Sequence, residues 1–348
     1  MWSMASEPHG ARPSTGTRGS FRLRVLGTVL VGLLSVGLLV WVAPPEDVVE
    51  QIGRMNPVWL LVALAFELGS CLSYVIVFRR FFPEPPRAVS RQVAWIAMGA
   101  GAVLPGGNIS SAAASGWLLR RHGVGTWRLL ERCGALLCLL TLFGFAVNGA
   151  AALLLLVGVP GGPHDLEHTG GPILVSVIVL GTAIAIAAVN RRLAQRAPRV
   201  LRGVAAGIEG SWAAARTLHW RLLGAAGFLC LDMAALWAAT AATGHPLGVL
   251  ALVIAYCIGY LATMIPMPAG LGVLDSGLAG ALVLYGFQPT ASVGAVLVYH
   301  AISIWVPGVG GLLAWLPARR RERDRARESK LTFRLGELAL PRPAESEA

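Results

Sequence analysis

The chain has 348 residues, 55% of them hydrophobic and only 14% charged, with a mean hydropathy of +0.65 and a formal net charge of +11. Such a composition excludes a soluble domain. The recurring apolar runs lack strand-like alternation, which excludes a barrel and leaves an all-α polytopic membrane protein. Lys330 is the only lysine, and most of the arginines flank apolar runs. They therefore read as topology markers and contacts for anionic headgroups, and no nucleic-acid partner is expected.

Residues 1–20, rich in Pro, Gly, Ser and Thr, are expected to be a disordered cytoplasmic N-terminus. The membrane domain then runs over 21–317. Leu23 to Ala43 is the first expected span, retained rather than cleaved as a signal peptide, and an acidic loop with Glu46, Asp47 and Glu50 follows. Pro57 to Phe78 is the second span, ending at Arg79-Arg80. Gln92 to Leu119 is broken at Pro105-Gly106-Gly107, so each arm falls short of the ~20 residues a crossing helix needs. Arg91 lies before it and Arg120-Arg121 after it. Positive charge collects on the cytoplasmic side, so this segment reads as a re-entrant hairpin entering from inside.

Cys133 to Gly158 and Pro172 to Val189 are the next two spans, joined by an outer loop with His164, Asp165, Glu167 and His168. The connection 191–220 carries Leu201, Val204, Ile208 and Trp212 at helical spacing, as expected of an amphipathic helix on the inner leaflet. Arg221 to Ala242 is the fifth span. Leu247 to Ile265 and Leu271 to Phe287 form a second broken pair around Pro266, Pro268, Gly270 and Gly272. Broken backbone at membrane depth survives only where protein or a water-filled cavity satisfies its N–H and C=O groups. Thr290 to Leu316 is the sixth span, and Arg319-Arg320-Arg321 places both termini in the cytoplasm. The basic tail, 318–348, is expected to be disordered.

This order makes two halves of opposite orientation, about 21–160 and 172–317, each with one hairpin. The expected fold is six full spans plus two re-entrant helical hairpins in an inverted repeat. Marks recur at a nearly constant offset: Glu67 with Asp232, Pro105 with Pro268, Gly107 with Gly270, Gly123 with Gly286, and Thr126 with Thr290. Inverted repeats with broken helices meeting near the midplane are a transporter architecture.

The candidate site residues are the polar groups that this arrangement would bring to the interior. Glu67 and Asp232 lie near mid-span, where a carboxylate costs ~2.5–3.5 kcal/mol even on the lenient insertion scale. Arg132 and His300 are the nearest candidates to pair with them. Arg132 also fits an interfacial arginine beside Glu131. Asp275 follows the second break and reads either as a helix N-cap or as a cavity carboxylate. His300 lies inside the last span and titrates near neutrality when unperturbed. Asn108, Ser110 and Ser111 would present polar groups at the first hairpin tip, or satisfy its backbone. The five cysteines fall within spans and read as packing residues; no metal or cofactor is expected.

Over roughly residues 20–318 the chain resembles the lysylphosphatidylglycerol synthase transmembrane-region family. That family includes the flippase domain of the bacterial multiple peptide resistance factor. The resemblance rests on Pro266-x-Pro268-x-Gly270-x-Gly272-x-x-Asp275, on Tyr299-His300-x-x-Ser303-x-Trp305-x-Pro307, and on Leu104-Pro105-Gly106 with Glu131-Arg132. The family usually carries Glu where Asp275 stands and Arg where His300 stands, and it has charged residues where Ile109 to Ala113 lie here. The aminoacyl-transferase domain of two-domain members is not expected after Leu316. The resemblance implies a multi-pass plasma-membrane protein that translocates lipids or binds lipid headgroups, with charged-headgroup lipids as partners. Two alternatives are an integral-membrane transferase using a lipid-linked donor, with Glu46-Asp47 as its acidic pair, and a non-catalytic partner of a lipid-modifying enzyme. No catalytic domain is recognisable.

Overall fold

The computed structural model describes residues 44–104, 107–188, 199–217, 219–262 and 273–339, and among them the regular elements are all helical. In chain order the helices are α1 (Pro45–Gly53), α2 (Pro57–Phe81), α3 (Arg87–Val103), α4 (Asn108–Arg120), α5 (Thr126–Leu156) and α6 (Leu166–Ala188). They continue with α7 (Arg199–Arg216), α8 (Leu223–Ala242), α9 (Val249–Ala262), α10 (Val273–Leu284) and α11 (Pro289–Ala339). A 3₁₀ turn, Trp220–Leu222, leads into α8. Among the described residues, five stretches are long and apolar enough to cross a membrane: Pro57–Phe81, Thr126–Leu156, Leu166–Ile186, Trp220–Ala242 and Pro289–Arg319. They coincide with five of the six expected spans. The other, 23–43, lies outside the described residues.

Helix ends follow local chemistry. Asn56 caps α2 by accepting from the Val58 N–H at 2.9 Å, Pro57 opens the helix, and Arg79 and Arg80 close it at the negative end of the dipole. α6 starts before Pro172, which lacks the N–H that the His168 carbonyl would otherwise receive. The Tyr285 hydroxyl donates to that carbonyl instead, at 2.7 Å.

Two further segments are helical. On α7, Ile208, Ser211 and Ala214 are buried and Gly207 lies against Gly134 of α5, while Trp212 is exposed, so one side of this helix meets protein. The tail expected to be disordered instead continues α11 to Ala339. Its sequence sets Glu322 and Asp324 three residues before Arg325 and Arg327, a spacing that supports a helix.

α2 and α8 form the centre. They run antiparallel along their whole length. The Asn56 N–H meets the Ala242 carbonyl at 2.9 Å, and Trp59 meets Trp237 edge-on. Ser70 Oγ donates to the Phe228 carbonyl at 2.8 Å, and a Cβ on Gly224 would lie 2.6 Å from the Ser73 carbonyl oxygen. Two apolar cores sit toward opposite ends of this pair. One gathers the C-terminal end of α2 with α3, α4, the first turns of α5, and Ala225 of α8. The other gathers the rest of α8 with α9, α10, the start of α11 and the C-terminal end of α5.

The short helices pair as α3 with α4 and α9 with α10, each helix about 18–26 Å long at 1.5 Å per residue, less than the ~30 Å hydrocarbon core. α3 packs on α11, and α9 packs on α5. At the α3–α11 crossing Gly99 and Gly311 bring the backbones together; a Cβ on Gly99 would lie 2.8 Å from the Pro307 carbonyl oxygen. α4 and α10 both end at a glycine of positive φ, Gly123 (81°) and Gly286 (90°). In each case the following amide reaches back five residues, Val124 to Leu119 and Phe287 to Leu282. This is the Schellman ending, where glycine avoids the Cβ cost of left-handed backbone.

Candidate functional site

Glu67 of α2 and Asp232 of α8 meet where these two helices cross, with their carboxyl groups within hydrogen-bonding reach of each other. Glu67 is 5% exposed, while Asp232 keeps some accessible surface. Asp232 accepts from two phenols, Tyr256 of α9 on Oδ2 and Tyr299 of α11 on Oδ1, the latter at 2.9 Å. Glu67 Oε1 faces the Cys71 thiol at 3.7 Å, one turn along α2, and its buried Oε2 has no donor. Four elements (α2, α8, α9 and α11) thus supply one cluster.

A second buried pair lies in the same half. Asp275, in the first turn of α10, faces His300 Nδ1 of α11 at 2.5 Å, and the two residues are 4% and 5% exposed. Asp275 is the third residue of its helix rather than the cap, and its side chain is turned to the last span. This pair ties the second short-helix pair to α11.

The acids Glu67 and Asp232 therefore do not pair with Arg132 or His300. His300 has Asp275, and Arg132 near the start of α5 pairs with Glu84 in the loop after α2, at 2.5 Å, rather than with Glu131. Burial alone would push the Glu84 carboxyl up. The Arg132 hydrogen bond, a backbone contact and the charges of Arg132 and Arg128 outweigh it and hold that carboxyl below its ordinary value. At the first tip, Gly107 (φ 47°) precedes α4, Asn108 is exposed at its first position, and Ser110 and Ser111 are partly buried. Of the break residues, Pro105, Gly106, Pro266, Pro268, Gly270 and Gly272 lie outside the described residues.

Tyr256, Tyr299, Cys71 and Glu84 are the participants that sequence reasoning missed. The tyrosines did leave a signal. A phenol inside an apolar run needs an acceptor, and the mid-span acids were the natural ones.

Two clefts open at the flanks of the bundle. One of about 690 Å³ lies between α2, α3 and α11, lined by Leu68, Trp95, Trp305, Val309 and Leu313. The other, about 220 Å³, lies between α5, α6 and α9, lined by Phe145, Asn148, Pro172, Val175, Ile258 and Leu261. Both are mostly apolar, and Leu68 directly follows the buried Glu67 in sequence.

The model of one family, described as the lysylphosphatidylglycerol synthase TM region, matches residues 25–311, most of the chain. The chain belongs to that family. No curated protein matches it. The matched region takes in α1 to α10 and α11 as far as Gly311, and so contains all four elements of the acid cluster and the Asp275–His300 pair. Family membership and the five apolar helices together make this a multi-pass membrane protein with a connection to lipids.

Proposed function

We propose that the protein translocates lipids with charged headgroups across the plasma membrane, using two oppositely oriented re-entrant hairpins, α3–α4 and α9–α10. The observation that carries this reading is the buried acid cluster at the α2–α8 crossing, between the two short-helix pairs. A bundle that needed only stability would not place two carboxyls side by side there, because each costs several kcal/mol to bury without a cation.

The inverted repeat is supported by the way the marks recur. Each short-helix pair packs on the last long helix of the other half, and each second arm ends at the same kind of glycine turn. The clefts follow the same rule in part: Trp95 and Ile258, 163 residues apart, and Phe145 and Val309, 164 apart, line opposite clefts, while α2 walls the first and α6, not α8, the second. In this topology both termini are cytoplasmic. The Trp95 cleft then opens toward the inner leaflet, next to Arg319 stacked on Trp315, and the other toward the outer leaflet. Acyl chains would ride in these apolar clefts while the headgroup passes the polar interior.

Reconstitution in liposomes with fluorescent lipids tests the proposal. Movement of an unmodified headgroup between leaflets is the expected result. A chemically new lipid species would instead favour a transferase with a lipid-linked donor.

A further inference from the structure

We propose that Glu67 and Asp232 hold one exchangeable proton between them, carried on Glu67, and that this proton couples to lipid movement. The coupling rests on the translocation reading above; the proton site does not.

An ionised carboxylate offers two acceptor oxygens and no donor. Asp232 has its oxygens served by Tyr256 and Tyr299, so it is built as the fixed anion. Glu67 has only the weak Cys71 thiol on Oε1, and its buried Oε2 is left without a donor. With both acids ionised, that orphan oxygen and the repulsion between adjacent like charges are both unrelieved. A proton on Glu67 Oε2, donated to Asp232, removes both penalties at once. Among the described residues, the groups facing the pair are Cys71 from α2, Tyr256 from α9 and Tyr299 from α11, none of them a cation. Release is a simple ionisation. The Glu67 O–H bond breaks, the proton passes to water, and the pair gains one negative charge.

The position of the pair gives the proton its link to motion. Contacts along α2 and α8 climb in one helix as they fall in the other, and the repeat marks lie 163–165 residues apart. Among the described contacts of α2 with α8, it is at Glu67–Asp232 that a residue of the first half meets its own counterpart. A pseudo-twofold axis through the bundle therefore passes between these carboxyls, equidistant from the two faces. The phenols, in contrast, come only from α9 and α11. A displacement of the α9–α10 pair withdraws the Tyr256 donor from Asp232 and so changes how strongly the proton is held.

Two measurements on the full chain in liposomes test this. Infrared difference spectra between acidic and neutral pH should show a protonated carboxyl that is lost in Glu67→Gln and shifted but retained in Tyr299→Phe. A band unchanged in Glu67→Gln would overturn the proton site. Under an imposed pH gradient, coupling of one proton per lipid predicts a leaflet distribution shifted up to about tenfold per pH unit, abolished in Glu67→Gln. Wild-type transfer indifferent to the gradient would overturn the coupling and leave translocation standing. An intact infrared band with no transfer at all would overturn translocation and the coupling with it, and leave the proton site.

Discussion

The two short-helix pairs share a packing plan and differ in chemistry. α3–α4 and α9–α10 each lean on the last long helix of the other half, and each second arm closes with a Gly-centred turn. Yet α9 is buried at every residue from Ala251 to Tyr256, while α4 buries only Ser115, Leu118 and Leu119. The second pair carries Asp275, held to His300, and lends Tyr256 to the acid cluster. At the corresponding distance the first pair has Ala112, and its charges are arginines in its outermost turns, Arg87 and Arg91 of α3 and Arg120 of α4. Backbone packing can follow a repeat while side chains diverge, because crossing geometry needs only small residues at the contact. The lesson is that two helix pairs with the same kind of packing and the same kind of closing turn can differ in polar chemistry, most of which here lies on α8 to α11.

The largest effect should come from breaking the first pair's seat. Gly99→Leu drives a side chain into the Pro307 carbonyl and the Gly311 backbone, where nothing flexible can yield. Overpacking costs about 1–3 kcal/mol or more, and purified protein in detergent should show a sharply lowered unfolding temperature. Gly259→Leu tests the second pair in the same way, against Leu278.

Next comes the Asp275–His300 contact. A double-mutant cycle with Asp275→Ala and His300→Ala should give a coupling of about 0.5–3 kcal/mol, because the two buried groups act as a unit. Additive losses would mean that the pair does not fasten α10 to α11.

A smaller effect is expected for Tyr299→Phe, which removes one donor from Asp232. Hydrogen bonds to charged groups contribute about 1.5–3 kcal/mol, and the remaining Tyr256 contact should hold the loss to the low end, read by the same unfolding assay.

The smallest belongs to Glu84–Arg132 at the base of the first pair. Both side chains are partly exposed, so solvent screening limits the bridge to about 0.2–1 kcal/mol. Glu84 has its carboxyl held below the ordinary value. The bridge's contribution should therefore be complete above the unfolded-state value, about 4.3, and vanish as pH falls through the folded-state value. Glu84→Gln should erase that step from a plot of stability against pH.

Most of the frame was legible because length and hydropathy are summed properties: spans, breaks and the offset between Glu67 and Asp232 all show in the bare sequence. Helix starts were less so. α5 begins at Thr126 and α6 at Leu166, because the interfacial turns of a span carry polar residues that hydropathy discounts. The partners of each charge were the least legible. Arg132 could be placed near an interface, but its link to Glu84, 48 positions back, depends on how the loop after α2 folds against α5. Likewise Tyr256 and Tyr299 reach Asp232 only because α9 and α11 both flank α8.

The opposite orientation of the two short-helix pairs is the claim on which the rest depends. Single cysteines at 120–125, after α4, and at 285–288, after α10, placed in a background without the native cysteines, can be labelled in intact cells with a membrane-impermeant maleimide. The account predicts that 285–288 react from outside and 120–125 only after the membrane is opened. Reaction of 120–125 from outside, or protection of both sites, would contradict it.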